Sequence, residues 1–149
     1  MKFTIFPAAW SLYLQAILRI MTGLLFVEHG AGKLLGFPAL AGLDQLPHGL
    51  LVFTGLMELV GGVLFVLGFL TRPAAFILSG FMAAAYFMAH APMGFFPVNN
   101  HGELAVLYCF VFLYFAVTGA PIWSVDALLS RRQGESSRQG EFAQRGAGQ

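Results

Sequence analysis

Four apolar stretches, at residues 12–31, 48–70, 73–91 and 103–119, dominate this sequence of 149 residues. As helices rising 1.5 Å per residue, each is long enough to cross roughly 25–35 Å of hydrocarbon. None shows the strict alternation of a membrane-barrel strand. The chain also lacks the charges that a water-facing surface needs. Only 10% of its residues are charged and 58% are hydrophobic, against about 25% charged in an ordinary soluble domain. Lipid is the expected solvent and the bilayer the expected first partner. The expected architecture is therefore all-α: a four-transmembrane-helix bundle in residues 1–129, with a disordered polar tail in 130–149.

The connections fit that reading. Gly36, Pro38, Gly42, Pro47 and Gly49 punctuate the first loop, and Thr71, Arg72 and Pro73 make a tight second turn. Pro73 falls where a helix's first turn tolerates it. Pro92, Gly94, Pro97, Asn99 and Asn100 break the third connection. From Ser130 onward the chain is polar and glycine-rich, a composition expected to stay disordered. Lys2 precedes an apolar stretch, but Arg19 interrupts it and no small-residue cleavage site follows, so the N-terminus is expected to be retained.

Basic residues near helix ends set orientation. Arg72 lies in the second turn and Arg131, Arg132, Arg138 and Arg145 in the tail, whereas the opposite side carries Lys33. Both termini are expected in the cytoplasm, with Trp10 and Trp123 as interfacial anchors. The expected location is a cell's inner, or plasma, membrane, crossed several times. A net charge of +1 gives no concentrated basic face for nucleic acid, which is not expected as a partner. Cys109 is the single cysteine, so an internal disulfide or dithiol redox pair is excluded. Small residues at Gly55, Gly61 and Gly62, and at Ser79, Gly80, Ala83 and Ala84, recur where helices could approach closely, although glycine is also simply common in membrane helices.

Polar residues inside such segments cost on the order of 2.5–3.5 kcal/mol each at mid-membrane, so they are usually paired or functional. Arg19 and Glu58 fall at similar depths when counted from their helix starts. They are expected to form an intramembrane ion pair, the alternative for Arg19 being to snorkel to the interface. Glu58 is too short for that and must be paired, protonated or facing a wet cavity. Glu28, His29, Lys33, His90, His101 and Glu103 gather at the outer side. Arg19, Thr22, Phe26, His29 and Lys33 share one helical face, as do Ser79, Ala83, Tyr86 and His90. Turned inward, these faces would enclose a polar pocket open to the outside, walled by Phe26, Tyr86, Phe87, Phe95 and Phe96. Lys33 and His101 could equally be ordinary interfacial residues.

His29 and His90 at equal depth have the ligand type for haem iron, but such pairs without a haem motif are usually hydrogen-bonding residues, and haem is not expected. His29, His90, His101 and Glu103 do not match a zinc spacing, so no metal is expected either.

The order of these features resembles the DoxX family of small four-helix membrane proteins over residues 18–126. Arg19, Gly23 and Phe26, then His29-Gly30 and Lys33-Leu34, are similar to the family's opening pattern. Gly55, Glu58 and Gly61-Gly62 resemble its second helix, and the run from Leu67 to Arg72 its next turn. His90 with Gly94-Phe95-Phe96, then Gly102-Glu103, resembles the third loop and the fourth helix start. The resemblance implies a cytoplasmic-membrane protein linked to oxidoreductase assemblies. The family is named from a subunit associated with a thiosulfate:quinone oxidoreductase, and other members are described as partners of redox-defence proteins. The motif positions it carries over are Arg19, His29, Lys33, Glu58, His90 and Glu103.

Three functions follow as expectations. The first is a redox-associated membrane subunit binding a quinone-like or small anionic ligand, with Arg19, His29, Lys33, Glu58, His90 and Glu103 as ligand-binding or proton-relay groups. The second is a non-catalytic scaffold that recruits a redox enzyme. The third is a small-solute transporter, which four helices could form only as an oligomer. The sequence does not decide whether the chain is catalytic, and a protein partner or a homo-oligomer is expected.

Overall fold

The structure, a computed structural model, describes residues 7–43 and 46–147, with side chains as far as residue 138. Every regular element among the described residues is helical. Helix α1 spans Trp10–Leu35, α2 His48–Leu67, α3 Thr71–Ala85, α4 Glu103–Thr118 and α5 Val125–Ala147. Beyond Ala85, α3 continues through a π-turn at Tyr86–His90 and a 3-10 turn at Ala91–Met93. Residues Trp10–Leu35, His48–Leu67 and Thr71–Met93 are each long and apolar enough to cross a membrane, while α4, at 16 residues, is apolar but shorter.

Polarity is inverted relative to a water-soluble protein. Phe76, Phe87, Phe110 and Val117 are among many large apolar side chains left exposed, whereas Arg19, Glu58, Thr71, Ser79, Asn100 and Ser124 are buried. An apolar exterior of this extent is stable against acyl chains and costly against water.

Two antiparallel hairpins make up the body, and the size of their contact residues sets their spacing. In the α1–α2 hairpin, Gly23 faces Gly62 and Gly30 faces Gly55, two turns apart on each helix. A Cβ on Gly62 would fall 2.8 Å from Val27 N and 2.9 Å from Gly23 O, so the two backbones touch. Such close approach lets dispersion hold helices together where lipid removes the hydrophobic drive. In the α3–α4 hairpin, Ser79 Oγ donates to the Cys109 carbonyl at 2.9 Å. Gly80, also expected at a helix contact, instead faces open space. Between the hairpins the filling is aromatic. Phe26 meets Tyr108 and Phe112 edge-on with ring centroids 5.3 and 4.9 Å apart, and Phe65 meets Phe112 and Phe115 at 4.9 and 5.0 Å.

The segment expected to be a disordered tail is helical as far as Ala147. Its start explains the departure. Ser124 Oγ accepts from Ala127 N at 3.1 Å, an N-cap. Asp126 in the first turn ties the helix to the α2–α3 turn. The glycine-rich composition is then overridden by a nucleated first turn.

Candidate functional site

Arg19 does not pair with Glu58. It is completely buried, and its guanidinium fork donates from Nη1 to the carbonyls of Phe65 (2.5 Å) and Val66 (2.7 Å) and from Nη2 to Trp123 (2.5 Å). The first two are last-turn carbonyls of α2, which carry the negative end of the helix dipole; Phe65 O also accepts from the Gly68 amide at 3.2 Å. Gly68 makes room. It holds a left-handed φ of +62°, and a Cβ there would lie 2.7 Å from Arg19 Nη1. Immediately beyond, Asp126 accepts from Leu70 N (2.9 Å) and Thr71 N (2.8 Å), the unpaired amides at the start of α3. A cation thus closes the end of α2 and an anion the start of α3, each matched to its dipole.

Glu58 pairs instead with Lys33, Nζ to Oε1 at 2.6 Å. Side-chain direction accounts for the exchange of partners. A helical side chain leans toward its own helix's N-terminus. In antiparallel α1 and α2, Arg19 therefore leans toward the α2–α3 turn while Glu58 leans toward the loops, so the two diverge. Lys33 leans inward from the loop end and meets Glu58. The Lys33 stem passes over Gly55, where an added Cβ would sit 3.2 Å from Lys33 Cβ. Glu58 Oε2 is buried without a hydrogen-bond partner among the described residues. The Lys33 side chain keeps 16% of its exposure against 8% for Glu58, so the pair is open on the lysine side. Tyr108 is buried in the aromatic core against Phe26 and Phe112. Sequence reasoning passed over Tyr108, and nothing in its apolar helix distinguishes it.

His90 belongs to a second polar group. Its Nδ1 donates to the Asn100 carbonyl at 3.0 Å, leaving Nε2 as the ring's other polar atom, and its ring stacks near Tyr86 at 6.3 Å. Asn100, completely buried, donates to Gly94 O (2.7 Å) and Tyr86 Oη (3.3 Å) and accepts from Gly102 N (2.8 Å). Tyr86 Oη in turn donates to Phe95 O at 3.3 Å. Composition marked Asn100 only as a loop former, yet it holds the α3–α4 connection together. Asn100→Ala is expected to destabilise the protein by about 1–2 kcal/mol, since Gly94 O loses its donor while Gly102 N keeps its bond to Pro97 O. Exposed Asn99→Ala should stay within about 0.5 kcal/mol. Unfolding in mixed micelles separates the two.

The single walled pocket expected from the helical faces is not what forms. Phe26 is sealed in the aromatic core at 1% exposure, while Phe95 and Phe96 lie on the surface at 85% and 61%. Phe87 is also exposed. Glu103 is exposed and shares a shallow recess with Leu107 and Phe110, on the outward face of α4. His29 is half-buried and His101 exposed. What the structure brings together is Lys33 with Glu58, and His90 with Tyr86 and Asn100.

A family model described as DoxX matches residues 14–91. Over 119 residues the chain is 45% identical to an uncharacterized protein of Haemophilus influenzae, covering 76% of this chain and 89% of that one. Over 130 residues it is 30% identical to the inner membrane protein YqjF of Escherichia coli, covering 78% of this chain and 92% of that one. No solved structure matches.

Proposed function

The chain belongs to the DoxX family and is a multi-pass protein of the inner membrane, and from that premise we propose that it is the membrane subunit of an oxidoreductase system, binding a quinone-like ligand at Lys33 and Glu58. The observation that carries this reading is the bare Oε2 of buried Glu58 beside a lysine that remains partly exposed. An ionisable pair inside a membrane is costly to keep and is commonly retained for ligands or protons. Lys33 has three N–H donors, one of them engaged by Oε1, so it can donate to a quinone carbonyl. The unpartnered carboxylate oxygen can accept from the hydroxyl of the reduced form. The carboxylate's terminal torsion is soft, which lets either oxygen turn toward a ligand. His90 and Glu103 do not adjoin this pair through any bond among the described residues and take no part in the ligand's first contacts.

In the proposed topology α4 also crosses, alongside α3, giving four spans. Arg72, Arg131, Arg132 and Arg138 then lie at the cytoplasmic end with both termini, and the Lys33 end faces outward.

Glu58→Gln keeps the shape and removes the charge. Titrating a short-chain ubiquinol into the purified protein in nanodiscs should show affinity about tenfold or more below wild type, the worth of one charge-assisted hydrogen bond. Equal affinity in a variant of normal stability contradicts the reading.

One observation favours a second reading, a non-catalytic scaffold that recruits a redox enzyme: Arg19, Asp126, His90 and Asn100 are all engaged in internal joints. Absence of quinol binding together with a stoichiometric redox enzyme co-purifying in mild detergent would favour it.

A further inference from the structure

At the opposite end from Lys33 the fold builds a second recess that the proposed ligand site does not use. A groove of about 670 Å³ runs between the α2–α3 turn, the linker after α4 and the first turns of α5. Two arginines stand on it from separate elements, Arg72 in the first turn of α3 and Arg131 in the second turn of α5. The Arg72 side chain folds over Gly119, where an added Cβ would lie 3.1 Å from its Nε. Unlike Arg19, neither Arg72 nor Arg131 has a hydrogen bond or ion pair among the described residues. The groove's one acid, Asp126, has both carboxylate oxygens engaged by the Leu70 and Thr71 amides. Thr71, whose buried hydroxyl has no partner among the described residues, forms part of the wall.

A second groove of about 600 Å³ adjoins this one, with Arg131 lining both. Its walls are apolar and aromatic, including Leu67, Ile122, Leu128 and the Tyr13–Trp123 pair, whose rings meet edge-on at 5.5 Å. Tyrosine and tryptophan in such pairs belong at headgroup level. Two unengaged guanidinium groups in one recess, joined at Arg131 to an apolar channel at the same membrane level, match an anionic head with a hydrocarbon body.

We propose that Arg72 and Arg131 hold the phosphate of an anionic phospholipid, whose upper acyl chain lies along the Tyr13–Trp123 groove. Guanidinium forks suit phosphate oxygens bidentately, and basic recesses beside membrane helices bind such headgroups. A soluble phosphate ester would satisfy the same two arginines without using the second groove.

Native mass spectrometry of the full chain in detergent, titrated separately with phosphatidylglycerol, phosphatidylcholine and glycerol 3-phosphate, tests the assignment. One phosphatidylglycerol should be retained where phosphatidylcholine is lost. Arg72→Gln with Arg131→Gln should weaken its retention by about tenfold or more, while Arg132→Gln with Arg138→Gln should not. Lipid-free melting of each variant checks the fold. If the double variant does not fold, Arg131→Gln alone, on the exposed face of α5, carries the test with the same expected direction. Undiminished phosphatidylglycerol retention in the folded groove variant overturns the proposal. So does equal retention of phosphatidylcholine, or binding of glycerol 3-phosphate with no preference between the lipids, which assigns the arginines to a soluble ester.

Discussion

Replacing Arg19 with methionine is expected to destabilise the protein by about 3–5 kcal/mol, one of the two largest effects of any single substitution considered. Methionine fills much of the volume, so packing is not what is lost. The carbonyls of Val66 and Trp123 lose their donor, and Phe65 O keeps only the Gly68 amide, in a site where Arg19 itself is fully buried. Each unsatisfied buried carbonyl costs about 1–3 kcal/mol, and the helix end also loses the cation that complements its dipole. Lysine is expected to recover only part of the loss, because a single ammonium cannot reproduce a planar fork bonded to carbonyls on two segments. Since the same fork fixes Trp123 to α2, the start of α5 should loosen as well. The measurement is the unfolding midpoint in dodecylmaltoside titrated with SDS, with Trp123 as the optical probe. A methionine variant as stable as wild type would show that the guanidinium does not close the helix.

Gly30→Ala is the second large effect. A single methyl there would overlap Leu59 N and fall 2.7 Å from Leu59 Cα and 2.8 Å from Gly55 O. These are backbone atoms of a facing helix, which cannot rotate away as a side chain would. The hairpin must part, and the Gly55 contact that lets Lys33 reach Glu58 parts with it. The expected cost is about 3 kcal/mol, at the upper end of overpacking penalties. Gly80→Ala is the control. An added Cβ there meets nothing within 4 Å, so alanine's better helix propensity should leave stability unchanged or raised by up to about 1 kcal/mol. Equal behaviour of the two variants would mean that α1 and α2 do not touch through Gly30.

Much of this arrangement was legible in the sequence, and the failures have specific causes. Hydropathy and breakers located the helices because lipid forces every backbone group into intra-helical bonds. The second, third and fourth helices begin within two residues of their expected starts, and α1 continues four residues past its expected end at 31 to Leu35. The small residues correctly marked α2 as a close-packing helix, but nothing in composition distinguishes Gly55, set against α1, from Gly80, set against open space. Depth counting put Arg19 level with Glu58 and so paired them. It ignored the lean of helical side chains, which sends Arg19 toward the turn and brings Lys33 in from the loop end. The aromatic wall failed for a related reason. Phe26 shares a helical face with the polar residues, yet the core needs bulk between the two hairpins and takes it. Asp126 binds backbone amides 56 and 55 residues away, and a local pattern carries no sign of that, whereas Asn100 binds Gly94 and Gly102 within its own loop, where composition marks it only as a loop former. The helical course of 130–147 follows from a first turn nucleated by tertiary contacts, which composition cannot register.

The claim on which the ligand reading rests is that Glu58 is held by Lys33 and not by Arg19. Double-mutant cycles built from Lys33→Met, Arg19→Met and Glu58→Gln, read as unfolding free energies in the same micelles, address it directly. A coupling of about 1 kcal/mol or more between positions 33 and 58, with none beyond about 0.5 kcal/mol between 19 and 58, is the expected result. Coupling of Glu58 to Arg19 in place of Lys33 would contradict the pairing and leave the ligand site without its donor.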